Sequence, residues 1–254
     1  MINDIHIGPI TIHMYGLMIA LGFLAALVLC LKRGKKTGLE DKHIWNIFYC
    51  AIIGGLVGAR LLYIIVEIPQ IAGNPGLILD FRNGYVVYGG IIGGVICAWI
   101  YCKRVHAPFL SYFDLVMPSV SLAQCLGRIG CFCAGCCYGR ETDSAISIIY
   151  LHSAYAPDGV SLVPTQLISS AGNLVLCLIL IGYADRNPRC GSVSSAWMIF
   201  YGIGRFAVEF LRNDYRGSVG ILSTSQLISI VMIIAGITLW ICVNRTLKED
   251  KKWY

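Results

Sequence analysis

Long apolar runs separated by short polar connections dominate the chain. Seven fall near residues 13–31, 44–66, 85–102, 112–127, 163–184, 193–211 and 222–243. Each approaches the roughly 20 residues a helix needs to cross a hydrocarbon layer about 30 Å thick, where every backbone polar group must be satisfied within the segment. The pattern predicts an all-α integral membrane protein with seven transmembrane helices, the fourth being the shortest. The connections at 67–84 and 128–162 are longer than the rest, and the second holds most of the polar residues outside the runs. No internal repeat and no linker interrupts the pattern, so 1–254 reads as a single polytopic membrane domain.

Charge gives the runs a direction. Lys32, Arg33, Lys35, Lys36 and Lys42 follow the first run, Lys103 and Arg104 the third, Arg186 and Arg189 the fifth, and Arg245, Lys248, Lys251 and Lys252 the seventh. The positive-inside rule places these connections in the cytoplasm, the N-terminus outside, the C-terminus inside and a small external segment at 128–162. The first fifteen residues carry Asp4 and neither Lys nor Arg, unlike the basic start of a signal peptide, so the first run is expected to be retained. The remaining basic residues, Arg60, Arg82, Arg128, Arg140, Arg205, Arg212 and Arg216, lie inside runs or on the opposite side, and none is a lysine. Arginine is the better bidentate partner for phosphate, which points to a phosphate-bearing ligand; pairing with local carboxylates is the structural alternative.

Composition narrows the class. The chain is 57% hydrophobic and only 13% charged, with a mean hydropathy of +0.70. That is too little polar surface for a water-soluble globule, which excludes an ordinary cytosolic enzyme. The net charge of +6 does not indicate nucleic acid, because the basic residues sit between apolar runs.

A charge near the membrane centre costs about 2.5–3.5 kcal/mol, so intramembrane arginine and glutamate are candidates for function. Three segments hold them. Gly54-Gly55-Leu56-Val57-Gly58-Ala59-Arg60 sets small residues at helical spacing, letting a second helix approach closely, ahead of an arginine that binds substrate or snorkels to the interface. In Tyr201-Gly202-Ile203-Gly204-Arg205-Phe206-Ala207-Val208-Glu209-Phe210-Leu211-Arg212 the charges share one helix face, either neutralising one another inside a bundle or, with their net positive charge, cradling an anionic headgroup. Gly127-Arg128-Ile129-Gly130-Cys131-Phe132-Cys133-Ala134-Gly135-Cys136-Cys137-Tyr138-Gly139-Arg140 has glycines throughout and is expected to leave the helix and line a cavity.

At these residues the chain resembles the prolipoprotein diacylglyceryl transferase family, from about residue 8 to residue 240. Gly8-Pro9-Ile10 through His13-Met14-Tyr15-Gly16-Leu17 is similar to the family's opening. Gly89-Gly90-Ile91-Ile92-Gly93 resembles its His-Gly-Gly-Leu-Ile-Gly stretch, 127–140 its Gly-Arg-x-Gly-Asn-Phe-x-Asn-Gly-Glu signature, and 201–212 its Tyr-Gly-x-x-Arg-x-x-x-Glu-Phe-x-Arg. The resemblance implies an enzyme of the bacterial cytoplasmic (inner) membrane with its active site near the outer face. It would move the diacylglyceryl group of phosphatidylglycerol to the cysteine thiol of lipobox-containing prolipoproteins, among membrane lipid, with no cofactor and no nucleic acid. By motif, Arg128 and Arg205 would hold the phosphate, Glu209 would orient Arg205, and Tyr15 would contact the headgroup. Arg60, Arg212, Gly89, Gly90, Gly127, Gly130, Cys131, Gly135 and Gly139 would line the substrate cavity.

The chain also departs from the pattern. The family's histidine before Gly-Gly, the usual base, is Tyr88 here, and Tyr88 is the candidate for its role. Cys131 and Cys136 replace signature asparagine and glutamate positions. The His-Pro-Ser-Gln-Leu-Tyr-Glu stretch survives as Pro164-Thr165-Gln166-Leu167, with Val163 for the histidine and Ser169 for the glutamate, and neither His106 nor His152 occupies a motif position. Of 12 cysteines, Cys30, Cys50, Cys97, Cys102, Cys177 and Cys242 lie in or beside runs and read as small apolar residues. For Cys131, Cys133, Cys136 and Cys137 a disulfide on the outer face, thiols packed in the cavity wall, a covalent intermediate and a metal site are the alternatives. Metal is disfavoured because adjacent cysteines seldom ligate one ion. A non-catalytic binder of anionic phospholipid and a cysteine-dependent redox or metal protein are the competing functions.

Overall fold

The computed structural model describes residues 4–7, 10–74, 76–77, 84–151, 153, 155–213, 218–219 and 222–250. Of the residues the sequence singles out, Gly8, Pro9, Arg82, His152, Arg216, Lys251 and Lys252 lie outside the described ones. The helices are α1 (Met14–Thr37), α2 (Asp41–Val66), α3 (Ile68–Gly73), α4 (Val87–Arg104), α5 (Phe109–Ala134), α6 (Thr165–Ala184), α7 (Ser192–Glu209) and α8 (Thr224–Asp250). Three short antiparallel pairs complete the described elements: β1 (Asp4–Ile7) with β2 (Ile10–His13), β3 (Ile148–Ile149) with β4 (Ser161–Leu162), and β5 (Ser218–Val219) with β6 (Leu222–Ser223).

All seven apolar runs are helical, and α3, opened by Pro69, is a short addition in the connection at 67–84. Among the described residues five helices are long and apolar enough to cross a membrane: α1, α2, α5, α6 and Thr224–Arg245 of α8. The remaining two, α4 and α7, have 18 residues each; α4 ends in Lys103-Arg104 and α7 carries three serines and the Arg205 and Glu209 charges. Large apolar side chains such as Ile53, Leu56, Leu61 and Ile65 of α2 or Leu178 and Ile179 of α6 are exposed, the surface expected of helices solvated by acyl chains.

The fourth run corrects the reading from the sequence. It is a helix of 26 residues, Phe109–Ala134, with Pro118 inside it, so Gly127, Arg128 and Gly130 are helical and irregular backbone begins only at Gly135. Packing overrides glycine's low helix propensity here. A Cβ on Gly130 would lie 3.1 Å from Met18 Cβ and 3.3 Å from Tyr15 O, and one on Gly22 would lie 3.1 Å from Ala123 O. Small residues thus let α1 and α5 approach closely at Gly22 and at Gly130.

The chain forms two compact units, residues 1–30 with 113–254 and residues 31–112. In the second, α2 and α4 meet through glycine. A Cβ on Gly54 would lie 2.6 Å from Cys97 Cβ and 2.8 Å from Gly93 O, and one on Gly58 would lie 2.8 Å from Gly93 Cα and closer still to Gly89 O. This is the small-residue helix crossing read from 54–60, with its partner at 89–97.

In the first unit α7 and α8 pack in the same manner. A Cβ on Gly202 would lie 2.7 Å from Ile233 Cγ1, and one on Gly236 2.9 Å from Met198 Cβ. Asp114 of α5 fixes the start of α7: its carboxylate accepts hydrogen bonds from Gly191 N (2.6 Å), Ser194 N (2.7 Å) and Ser194 Oγ (2.5 Å). A carboxylate at a helix N-terminus satisfies orphan N–H groups and faces the positive end of the helix dipole.

Candidate functional site

Arg205 and Glu209, one turn apart on α7, form an ion pair with Nη1 2.7 Å from Oε2 and only 13% and 10% side-chain exposure. The pair is built into the structure from α8. Arg205 Nη2 donates to Ser225 Oγ at 2.8 Å, and Ser223 Oγ donates to Glu209 Oε1 at 2.9 Å. Ser223 and Gln226 are in turn a reciprocal cap on α8, Ser223 N donating to Gln226 Oε1 (3.0 Å) and Gln226 N to Ser223 Oγ (3.2 Å). Ser223, Ser225 and Gln226 support this candidate site and were passed over by the reading of charges and glycines; the signal for Ser223 and Gln226 was the Ser-x-x-Gln spacing ahead of an apolar run.

Two further arginines act on Arg205. It lies in the electrostatic field of Glu209, Arg212 and Arg128, so these three guanidinium groups and one carboxylate together carry net positive charge. Arg128 comes from α5 and Arg212 from just beyond α7. The backbone ties these segments together: Arg140 N donates to Leu211 O (2.9 Å), Gly139 N to Val163 O (3.2 Å) and Val163 N to Arg140 O (3.0 Å). Gly139 sits in the middle of this ladder, where a Cβ would lie 2.7 Å from Val163 Cβ and 2.9 Å from Leu211 O, so no side chain fits. The ends of the 127–140 and 201–212 motifs are therefore held side by side. The Tyr15 hydroxyl lies within electrostatic reach of Arg128 and of Cys131, Cys136 and Cys137, which adds the α1 end to the same group.

The cysteine loop follows directly on α5. Gly135 (φ 72°) and Cys137 (φ 63°) both adopt left-handed backbone, which reverses the chain so that Cys136 and Cys137 face back toward Cys131. The Sγ atoms of Cys131, Cys136 and Cys137 all lie within 4.8 Å of one another. Residues of the Pro164-Thr165-Gln166-Leu167 stretch hold the loop: Thr165 Oγ1 donates to Cys137 O (2.8 Å), and Gln166 Nε2 to Cys136 O (2.8 Å) and to the Tyr150 hydroxyl (3.0 Å). Hydrogen bonding with Cys131 and Cys137, and then burial, hold the Cys136 thiol above the ordinary thiol range. Burial pushes the Tyr150 phenol up to about 12. No disulfide joins the cysteines of this cluster in the structure. Its sulfurs converge as a group of three instead of pairing.

The other residues singled out from the sequence belong to the unit of 31–112. Arg60 is buried, donating to Gly84 O (2.9 Å) and Leu77 O (2.6 Å), with its guanidinium 5.1 Å from the Tyr63 ring centre and 5.7 Å from that of Tyr85. This is a stitch between α2 and the connection that follows α3. Gly89 and Gly90 face α2, where a Cβ on Gly89 would lie 2.5 Å from Leu62 Cβ and one on Gly90 3.1 Å from Gly55 O, so helix packing accounts for both. Tyr88 is half-buried in the first turn of α4. In the other unit, Gly127 has open space where a side chain would project.

Residues 4–242 match the prolipoprotein diacylglyceryl transferase family. Among individual relatives, the chain is 50% identical over 226 residues, 89% of its length and 91% of the relative's, to a phosphatidylglycerol–prolipoprotein diacylglyceryl transferase of Clostridium tetani. It is 48% identical over 230 residues, 90% of each chain, to phosphatidylglycerol–prolipoprotein diacylglyceryl transferase 2 of Clostridium perfringens. A protein of the same description from Clostridioides difficile is 31% identical over 242 residues, 95% of this chain and 94% of that one. With its apolar helices and a match over nearly all of its length, this multi-pass bacterial membrane protein belongs to the prolipoprotein diacylglyceryl transferase family.

Proposed function

We propose that the protein transfers the diacylglyceryl group of phosphatidylglycerol to the cysteine thiol of lipobox-containing prolipoproteins. The observation that carries this reading is the net positive group in which Arg128 and Arg212 lie within electrostatic reach of the buried Arg205–Glu209 pair's guanidinium. The names of the relatives supply the reaction. Arg128 and Arg205 grip the lipid phosphodiester. As the bond from the glyceryl carbon to phosphate oxygen breaks, they offset the second negative charge that develops on glycerol phosphate, an interaction stronger in the transition state than in the ground state. Glu209, steadied by Ser223, holds Arg205 in place. Arg212 adds charge at the rim, and Tyr15 contacts the headgroup.

The membrane layout belongs to the same proposal: seven transmembrane helices, N-terminus outside, C-terminus in the cytoplasm, and the site near the outer face of the cytoplasmic membrane. The segregation of lysine to one set of connections supports it. Tyr88 stands where the family has histidine, and a phenol is a poor base at neutral pH, so deprotonation of the acceptor thiol falls to positive charge near the site or to another group.

Purified protein incubated with phosphatidylglycerol and a lipobox peptide should yield a thioether-linked diacylglyceryl peptide and glycerol phosphate, read by mass spectrometry. Lipid binding without product would reject the reaction in favour of a binder of anionic lipid.

A further inference from the structure

Three thiols within 4.8 Å of one another, on a loop whose backbone is pinned by Thr165 and Gln166, are a preorganised cluster of soft ligands. A zinc ion bound through thiolates at about 2.3 Å in tetrahedral geometry sets its sulfurs about 3.8 Å apart, so each thiol has to move by less than its own radius. The objection to adjacent ligands does not apply, because the left-handed Cys137 turns the chain between them. Three thiolates around a divalent ion carry one net negative charge, and the Arg128 guanidinium lies within electrostatic reach of Cys131 to offset it. Among the described residues the group has three members, and a tetrahedral ion with three protein ligands keeps its fourth position for water or substrate.

We infer that Cys131, Cys136 and Cys137 hold zinc(II), and that its fourth position takes the acceptor cysteine of the prolipoprotein as a thiolate. The inference rests on the transfer reaction proposed for this protein and supplies what Tyr88 lacks, since a thiol coordinated to zinc is deprotonated outright at neutral pH. The balance is simple. The thiol proton leaves to water as sulfur binds the ion; the sulfur lone pair then forms the S–C bond at the glyceryl carbon. The C–O bond to phosphate breaks, and its electron pair departs with glycerol phosphate beside Arg128 and Arg205. Nothing is oxidised or reduced, and the ion is regenerated. The soft, fixed cluster and the anion-binding arginines thus stand on the two reacting partners, thiol and phosphodiester.

The test uses the full-length protein in detergent. Elemental analysis should find about one zinc per chain, lost in Cys136→Ser and in the variant with all three cysteines changed to serine, and kept in Cys190→Ser. Cobalt(II) exchanged into the wild-type chain should show thiolate-to-cobalt charge-transfer absorption. That band should change on adding a lipobox peptide with cysteine and stay constant with its serine analogue. Because the cobalt measurement needs no variant, misfolding of a cysteine mutant does not decide the result. Removing the ion with a chelator should lower thioether formation about a hundredfold, the scale of losing proton-transfer help, and zinc should restore it. Failure of wild-type protein to bind zinc or cobalt, or a cobalt spectrum indifferent to the cysteine peptide, overturns the inference. Full activity after chelation also overturns it while leaving the transferase reading intact. A responsive cobalt site without any thioether product supports the thiol site and rejects the transferase reading.

Discussion

Arg205 is held by its ion pair with Glu209 and its hydrogen bond to Ser225, two directed contacts made by separate nitrogens of one planar guanidinium. Replacing Arg205 or Arg128 with alanine should lower kcat for thioether formation by about 10² or more, the usual effect of removing one donor to a developing anion. Arg205→Lys should recover only a small part of that loss, because a point charge does not reproduce the planar fork; recovery to the wild-type rate would argue against bidentate phosphate binding. Tyr150 gives a residue-scale pH effect. Its phenol is raised to about 12, chiefly by burial, so the stability it contributes is complete below the ordinary phenol pKa of about 10 and is lost as pH rises through about 12. A tyrosinate absorbance titration of wild type minus Tyr150→Phe should show one phenol titrating near the upper end of that window, and a group titrating near 10 would refute its burial. These residues differ in how much the sequence disclosed. Arg205 and Glu209 were legible from their spacing of four, whereas nothing near Tyr150 marks it as the hydrogen-bond partner of Gln166.

Among the elements, the α2 and α4 contact shows how much depends on missing side chains. Gly58→Leu or Gly93→Leu would force the helices apart and should lower Tm in detergent, with a cost of about 1–3 kcal/mol from overpacking. Gly172→Ala on α6 is the control, since nothing lies within 4 Å of its added Cβ, and it should hold or raise Tm. Equal effects at the two kinds of site would mean that the glycine face does not support the helix pair. The glycines at 54 and 58 announced such a contact by spacing alone. Those at 127 and 130 were misleading, because four glycines in a short stretch look like a loop, whereas Gly130 packs under Tyr15 and Met18 within a helix that continues to Ala134. The α8 cap was legible as Ser-x-x-Gln; its link to Glu209 was not, since that depends on where α7 ends.

At the scale of the whole molecule the orientation in the membrane is the leading expectation, and Cys190 provides a handle on it. This exposed thiol lies between α6 and α7, in a connection with Arg186 and Arg189 that the positive-inside rule assigns to the cytoplasm. In intact cells it should resist a membrane-impermeant maleimide and react once the membrane is opened; labelling from outside would reverse the topology. Hydropathy along the chain determined by itself that this is a helical membrane protein and where its long apolar helices fall. Those properties follow from transferring each segment from water to lipid, which depends on local composition. Tertiary structure alone decided that the backbones of 139–140 and 211–212 pair, that Thr165 and Gln166 grip the cysteine loop, and that three sulfurs share one small volume. Each of these joins residues distant in the chain or turns on a single left-handed φ. Their geometry arises from packing, which no window of sequence contains.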